Sequence, residues 1–213
     1  MANANRPFGA KAARKFDGSP YDAAAMSFHV PASYAPAIFL GDPVIMTGNG
    51  NAVSFLGAQP GTLAEVALTA VPPAGGGAPA PLSYAQYILG FVVAVEPITR
   101  ESTIYRAANV EAMVKVIADP DVIWEVQDNG AVALGVNVCG LNANLIAGAG
   151  STTTGQSGWM LDAGTTNAPG TSLNLQMTIL NASNRVTNDA TSQFAIWETL
   201  INWHPFTAPA IGI

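Results

Sequence analysis

Residues able to carry chemistry are few in this chain. His29 and His204 are the only histidines, and Cys139 is the only cysteine. A hydrolytic centre needs a nucleophile beside a base, and that base needs an orienting group. No serine here sits in a nucleophile-elbow pattern. His29 lies in an alternating segment and His204 in a tail, so both are expected to serve structure. Metal ligands cluster in sequence, and neither histidine has such neighbours.

Three other patterns resemble sites and fail on detail. Gly148-Ala149-Gly150-Ser151-Thr152-Thr153-Thr154-Gly155 has the glycines of a phosphate loop but lacks the lysine and the following helix. Asp119, Asp121 and Asp128 could gather at one strand end and offer oxygens to Ca²⁺. Turn formation is the simpler role for them. Trp124, Trp159, Trp197 and Trp203 could stack on sugars, but Trp124 and Trp197 fall in alternating runs and read as core. Asn181-Ala182-Ser183 is a glycosylation sequon only in form, since no secretory leader is read. The reading is of a non-enzyme with no catalytic residue, no cofactor and no metal.

Composition turns attention to surfaces. Charged residues make up only 10% of 213, while glycine and proline number 21 and 15. Such a chain is too apolar for disorder, and much of its surface is expected to meet partners. Its charge is unevenly placed. Arg6, Lys11, Arg14 and Lys15 are four of the eight basic residues, and no acid precedes Asp17. The first sixteen residues therefore carry +4. The other four bases face all fourteen acids, leaving −10 on the rest. A cationic leader on an acidic body suits an acidic protein surface; the body would repel nucleic acid. The longest apolar run, 87–95, is about half of a membrane span. Cys139 sits among valines and reads as a small buried hydrophobe in a reducing compartment.

The elements that must position these residues read as strands. Glu111–Gln127 alternates on both sides of Asp119-Pro120-Asp121 and predicts a β-hairpin. Met26–Pro31, Val44–Met46, Thr103–Arg106, Val132–Leu141, Leu173–Ile179 and Phe194–Trp203 predict further strands. Tyr84–Val95 is apolar on both faces, as in a strand covered on both sides. Thr62–Val71 fits a strand or a loop with a short helix. Residues 72–81 and 142–170 predict long loops. Residues 1–25, anchored by Phe8, Phe16 and Tyr21, predict an extended N-terminal arm, with a short helix over Ala10–Lys15 as an alternative. The expected class is all-β, a jelly-roll-like β-sandwich or barrel over 26–213 with that arm ahead of it.

Several segments carry a resemblance. They are Met1–Gly9, Asp17–Tyr21, Gly41–Val44, Tyr105-Arg106, Asp119–Val122 with Glu125–Gln127, Ala149–Gly155 and Ser157–Asp162. In this order they resemble the capsid decoration (cement) proteins of tailed bacteriophages. The match departs over 72–81 and 205–213. The resemblance implies a jelly-roll-like body that forms a homotrimer on the outer surface of an icosahedral shell. Its partner would be a major capsid protein of HK97-like fold, and the site of action the virion, assembled in the host cytoplasm. It brings no catalytic residues, nucleic acid or membrane. Read with the charge pattern, it assigns capsid binding to Arg6, Phe8, Lys11, Arg14, Lys15, Phe16 and Tyr21. The competing expectation is a receptor- or glycan-binding domain of a virion appendage.

Overall fold

The computed structural model describes residues 3–22, 24–72, 84–165 and 167–207. Within them, alternating and β-branched segments form twelve strands. These are β1 (Ala10–Lys15), β2 (Met26–Val30), β3 (Pro43–Gly50), β4 (Ala64–Leu68), β5 (Gly90–Val95) and β6 (Ala112–Ile117). Then follow β7 (Val122–Gln127), β8 (Asn142–Ala143), β9 (Leu145–Ile146), β10 (Met160–Leu161), β11 (Met177–Ala182) and β12 (Ile196–Ile201). Two single-turn 3-10 segments are the only helical pieces among the described residues. The chain is all-β.

Hydrogen-bond order decides the architecture that alternation left open. β2, β4, β3, β5 and β6 close into a barrel, while β1, β7, β12, β11 and β8 form an open sheet. Closure gives each barrel strand a neighbour on both sides, although β3 meets β5 at only two positions. The ring closes through one parallel pairing, β2 with β4, where His29 stands beside Glu65.

The period of two then builds two cores. On β5, Val92 points into the barrel with Phe28, Val44, Val66, Val114 and Val116. Its neighbour Phe91 points the other way, into the layer between barrel and sheet. There its ring lies 4.6 Å from that of Trp124, beside Ile117 and Trp197. Each such buried side chain contributes about 1.5–3 kcal/mol. This is why the 84–95 run is apolar on both faces: each face has its own core.

The Glu111–Gln127 segment departs from the expected hairpin. Both strands form, and the Asp121 amide donates to Asp119 Oδ1 at 2.9 Å in the turn between them. They do not pair with each other. β6 lies between β2 and β5, and β7 between β1 and β12. A strand has only two edges, and distant partners hold all four. The turn is a corner that carries the chain from barrel to sheet.

Other departures are local. Thr103–Arg106 makes a single bridge to Ile38 instead of a strand. Its Arg106 is buried and donates to the carbonyls of Pro31, Pro36 and Val110. Residues 132–141 are turns around a 3-10 segment at Val136–Val138. Val138 is buried there, but Cys139 is exposed, which corrects the expectation of a buried thiol. The loop expected over 72–81 lies outside the described residues from 73 onward, as does the tail from 208.

Asp128 fastens the end of β7 to the start of β12. It is fully buried, and its two oxygens accept from the amides of Gly130, Phe194 and Ala195 and from Trp197 Nε1, at 2.8–3.0 Å. Burial pushes its carboxyl pKa up, and those donors oppose the rise. The same donors hold Phe194 at a left-handed φ of 61°. Asp128→Asn replaces one acceptor oxygen with a donor and leaves buried N–H groups unmatched. It should cost about 2–4 kcal/mol in urea unfolding at neutral pH.

Candidate functional site

The leader is part of the body. Residues 10–15, the middle of the expected arm, are β1 at the edge of the open sheet, paired from Ala10↔Val126 to Lys15↔Val122. The register shifts between Ala12 and Arg14, which marks a bulge at Ala13. Ahead of it, Asn3 bonds the backbone of Asp189 and Gln193. Gln127 accepts from the Arg6 amide and donates to the Ala4 carbonyl. The extended arm and the short helix over Ala10–Lys15 are both corrected to a strand. Helix propensity is a weak prior, and here the β7 edge supplies backbone partners while Ala10 and Ala12 pack on the core.

One crossing fixes where the leader runs. Gly9 and Gly41 both take positive φ, 70° and 89°. A Cβ on Gly9 would lie 2.4 Å from the Gly41 carbonyl oxygen, and one on Gly41 would lie 2.6 Å from that of Phe8. The Ala10 amide donates to the Gly41 carbonyl at 3.0 Å, and the Gly41 amide to that of Val92 at 2.7 Å. Next to it, buried Asp42 accepts from the Phe39 amide at 2.8 Å and from the Ser157 hydroxyl. Burial pushes the Asp42 pKa up to about 6, against those two hydrogen bonds.

The seven leader residues meet different fates. Arg14 donates from both terminal nitrogens to Glu198 Oε2, at 3.0 and 2.7 Å. Lys15 lies 3.2 Å from Asp119, whose hydrogen bond and charge raise the lysine pKa. Tyr21 packs against the core and donates to the Ala24 carbonyl, and burial pushes its pKa up to about 12. These three are tied into the fold. Phe16 is exposed. Arg6 and Lys11 are exposed and form no ion pair among the described residues. With half-buried Phe8 they line one open groove of about 430 Å³.

That groove adds residues the sequence did not mark. Leu40 and Val93 give it an apolar wall, and Gln156 and Arg185 a polar rim. No carboxylate lines it. Arg185 faces Glu125 across the outer sheet surface, with its Nε 3.1 Å from Oε1. Burial works against ionisation of Glu125, but Arg185 and Ser183 hold its pKa below the usual carboxylate range. Arg185 stands 174 positions from Lys11 (185 − 11) in a loop of Asn, Thr and Arg, so only tertiary structure brings them to one groove.

The other sequence candidates land elsewhere. His29 is buried on β2, with Nδ1 3.3 Å from Glu65 and Nε2 2.9 Å from Glu111. Glu65 lies on the closing seam with β4, and Glu111 just ahead of β6 on the other side of β2. His204 Nε2 stands 3.0 Å from the Leu89 carbonyl, and burial lowers its pKa. The 148–155 loop closes on itself through Ser151 and packs Gly150 under Phe39, with no helix after it. All four tryptophans are buried. Among the described residues no group of three or more His, Cys, Asp or Glu is placed to hold a metal. No described helix is long and apolar enough to cross a membrane. No protein-family model, no curated protein and no solved structure matches the chain.

Two measurements check this geometry. Gly9→Ala adds both left-handed strain and a backbone clash, so it should destabilise by about 2 kcal/mol or more and speed tryptic cutting after Lys11, since Pro7 blocks cutting after Arg6. Gly18→Ala, at φ 85° with open space around it, should cost only about 1–2 kcal/mol and leave the leader protected. For Asp42, a raised folded-state pKa means stability is lost as pH climbs from about 4 to about 6. Asp42→Asn should therefore be about 1–3 kcal/mol more stable than wild type above pH 6, the gap closing below pH 4 in pH-resolved thermal melts.

Proposed function

We propose that this protein decorates the outside of a tailed-phage head, binding the expanded shell of a major capsid protein through its leader face. The observation that supports this best is the division of the leader's cations. Arg14 and Lys15 are neutralised by carboxylates of the body at its surface, whereas Arg6 and Lys11 form no close ion pair among the described residues and border an apolar groove. On a body of net negative charge, that is a local site for an acidic surface. The resemblance in motif order points the same way.

The docking element is a folded face and not a free arm. Preorganisation helps binding, since little chain entropy is lost on contact. Arg6, Lys11, Phe8 and exposed Phe16 are the contact residues; Arg14, Lys15 and Tyr21 hold the face in place. A protein that binds only the expanded shell stabilises it, by about 2.7 kcal/mol per site at 100 times Kd. Three faces on a homotrimer would raise avidity by about 10²–10⁴-fold. This places the protein on the virion exterior after assembly in the host cytoplasm.

Removing residues 1–16 would delete a sheet strand, so charge variants are the cleaner test. The purified protein is mixed with expanded shells of the major capsid protein encoded beside it, and binding is followed by co-sedimentation. Wild type is expected to bind, and Arg6→Gln/Lys11→Gln, which removes both charges without setting a third carboxylate beside Glu125 and Glu198, to bind at least tenfold more weakly while staying folded at the assay temperature. Shells that take up no wild-type protein, or take up both proteins equally, refute the reading.

A further inference from the structure

We infer that the groove between β1 and β5 is the seat of an extended acidic peptide segment, laid along a strand edge. The inference rests on the decoration reading only for whose segment it is.

Three features of the groove carry it. The first is backbone. β3 pairs with β5 only at Pro43↔Phe91 and Val44↔Gly90. The Val92 carbonyl and amide are then met by the Gly41 amide and the Asp42 carbonyl. Beyond Val92 that side of β5 has no strand partner among the described residues, although the opposite side stays paired to β6 through Val95. β1 is likewise the outermost strand of its sheet. Its Ala10 amide turns toward Gly41, away from β7, and the period of two turns the Ala12 backbone the same way. The groove thus runs between two strand edges, the setting in which extended peptides add by main-chain hydrogen bonds.

The second feature is charge. Arg6 and Lys11 stand on one wall and form no close ion pair among the described residues; Lys11 faces Glu125, which Arg185 holds, across the strands. No carboxylate lines the groove, in a protein with 14 acids and 8 bases. The acids closest to β1 in the sheet, Glu125 and Glu198, are both held by arginines on the outer face. An acidic segment meets attraction here and repulsion over most of the remaining surface.

The third is the bulge. The β5–β6 register shifts between Val92 and Ala94, so Val93 is the extra residue, and its side chain is exposed at the groove. With Leu40 and Phe8 it offers an apolar patch between the cations. A strand alternates its side chains, so the matching occupant alternates Asp or Glu with Val, Ile or Leu. A nucleotide or inorganic anion would use the charge and leave both edges and the patch unmatched.

The experiment is fluorescence anisotropy with labelled hexapeptides on the full chain. The probe alternates Glu with Val; one comparison peptide carries Gln for Glu, and another carries N-methyl groups on alternate residues. The acidic probe should bind at least tenfold more tightly than either, and weaken as salt rises. Arg6→Gln/Lys11→Gln should lose most of that difference. Both side chains are exposed and neither is in a close ion pair, but Lys11 faces Glu125 across the strands, so the variant should melt only slightly below wild type. Val93→Lys is a second variant, expected to tolerate charge but lose the apolar contact and several-fold affinity. Equal binding of the Gln peptide, or competition by inorganic phosphate at equal charge, overturns the inference. N-methyl peptides that bind as well as the probe overturn the edge pairing and the inference with it. Failure here with intact shell binding removes only the groove's occupant; peptide binding without shell binding removes the decoration reading instead.

Discussion

The crossing of Gly9 over Gly41 is the constraint on which the functional surface depends. Two backbones meet there with no room for a side chain on either. Through one carbonyl and one amide of Gly41, the leader is tied to β5 of the barrel. Asp42 then locks the adjoining turn to Phe39 and Ser157. A leader that floated freely would carry four mobile cations. Pinned at this point, it presents two of them on a groove and sets the other two against Glu198 and Asp119.

The barrel and the sheet share that logic at larger scale. β5 and β6 form the wall between them, and each wall residue serves one core or the other. Val92 and Val116 fill the barrel; Phe91 and Ile117 meet Trp124 and Trp197 in the second layer. On the outer surface of the sheet, Glu125 stands directly beside Glu198. Like charges in that position destabilise a sheet. Arg185 neutralises the first and Arg14 the second. So a leader residue helps cancel a repulsion in the body. Fold and binding face are coupled through it.

Much of the local structure was legible in the sequence. Met26–Val30, Ala112–Ile117, Val122–Gln127 and Ile196–Ile201 announce themselves as strands by period-two alternation. Asp119-Pro120-Asp121 announces a turn by its chemistry. The run of alternating segments and turns with little helical periodicity also told correctly that the chain is all-β. Which residues stay unpaired on the leader was not legible. Arg6, Lys11, Arg14 and Lys15 look alike in sequence, yet Glu198 and Asp119 single out the last two from 184 and 104 positions away. The exposed Cys139 was misread for the same reason: a valine-rich neighbourhood does not say which side chain a turn directs outward.

The sequence by itself determined where strands and turns occur, because pleating and turn dihedrals are properties of a few consecutive residues. It also determined that positive charge gathers at one end of an acidic chain. Only the tertiary structure decided which strands pair. A strand edge carries the same N–H and C=O groups whatever its side chains, so β6 and β7 could be neighbours in sequence and strangers in space. The same indifference let β7 accept the leader as β1. The groove exists because that pairing, and no local pattern, brought Arg6, Lys11, Val93 and Arg185 together.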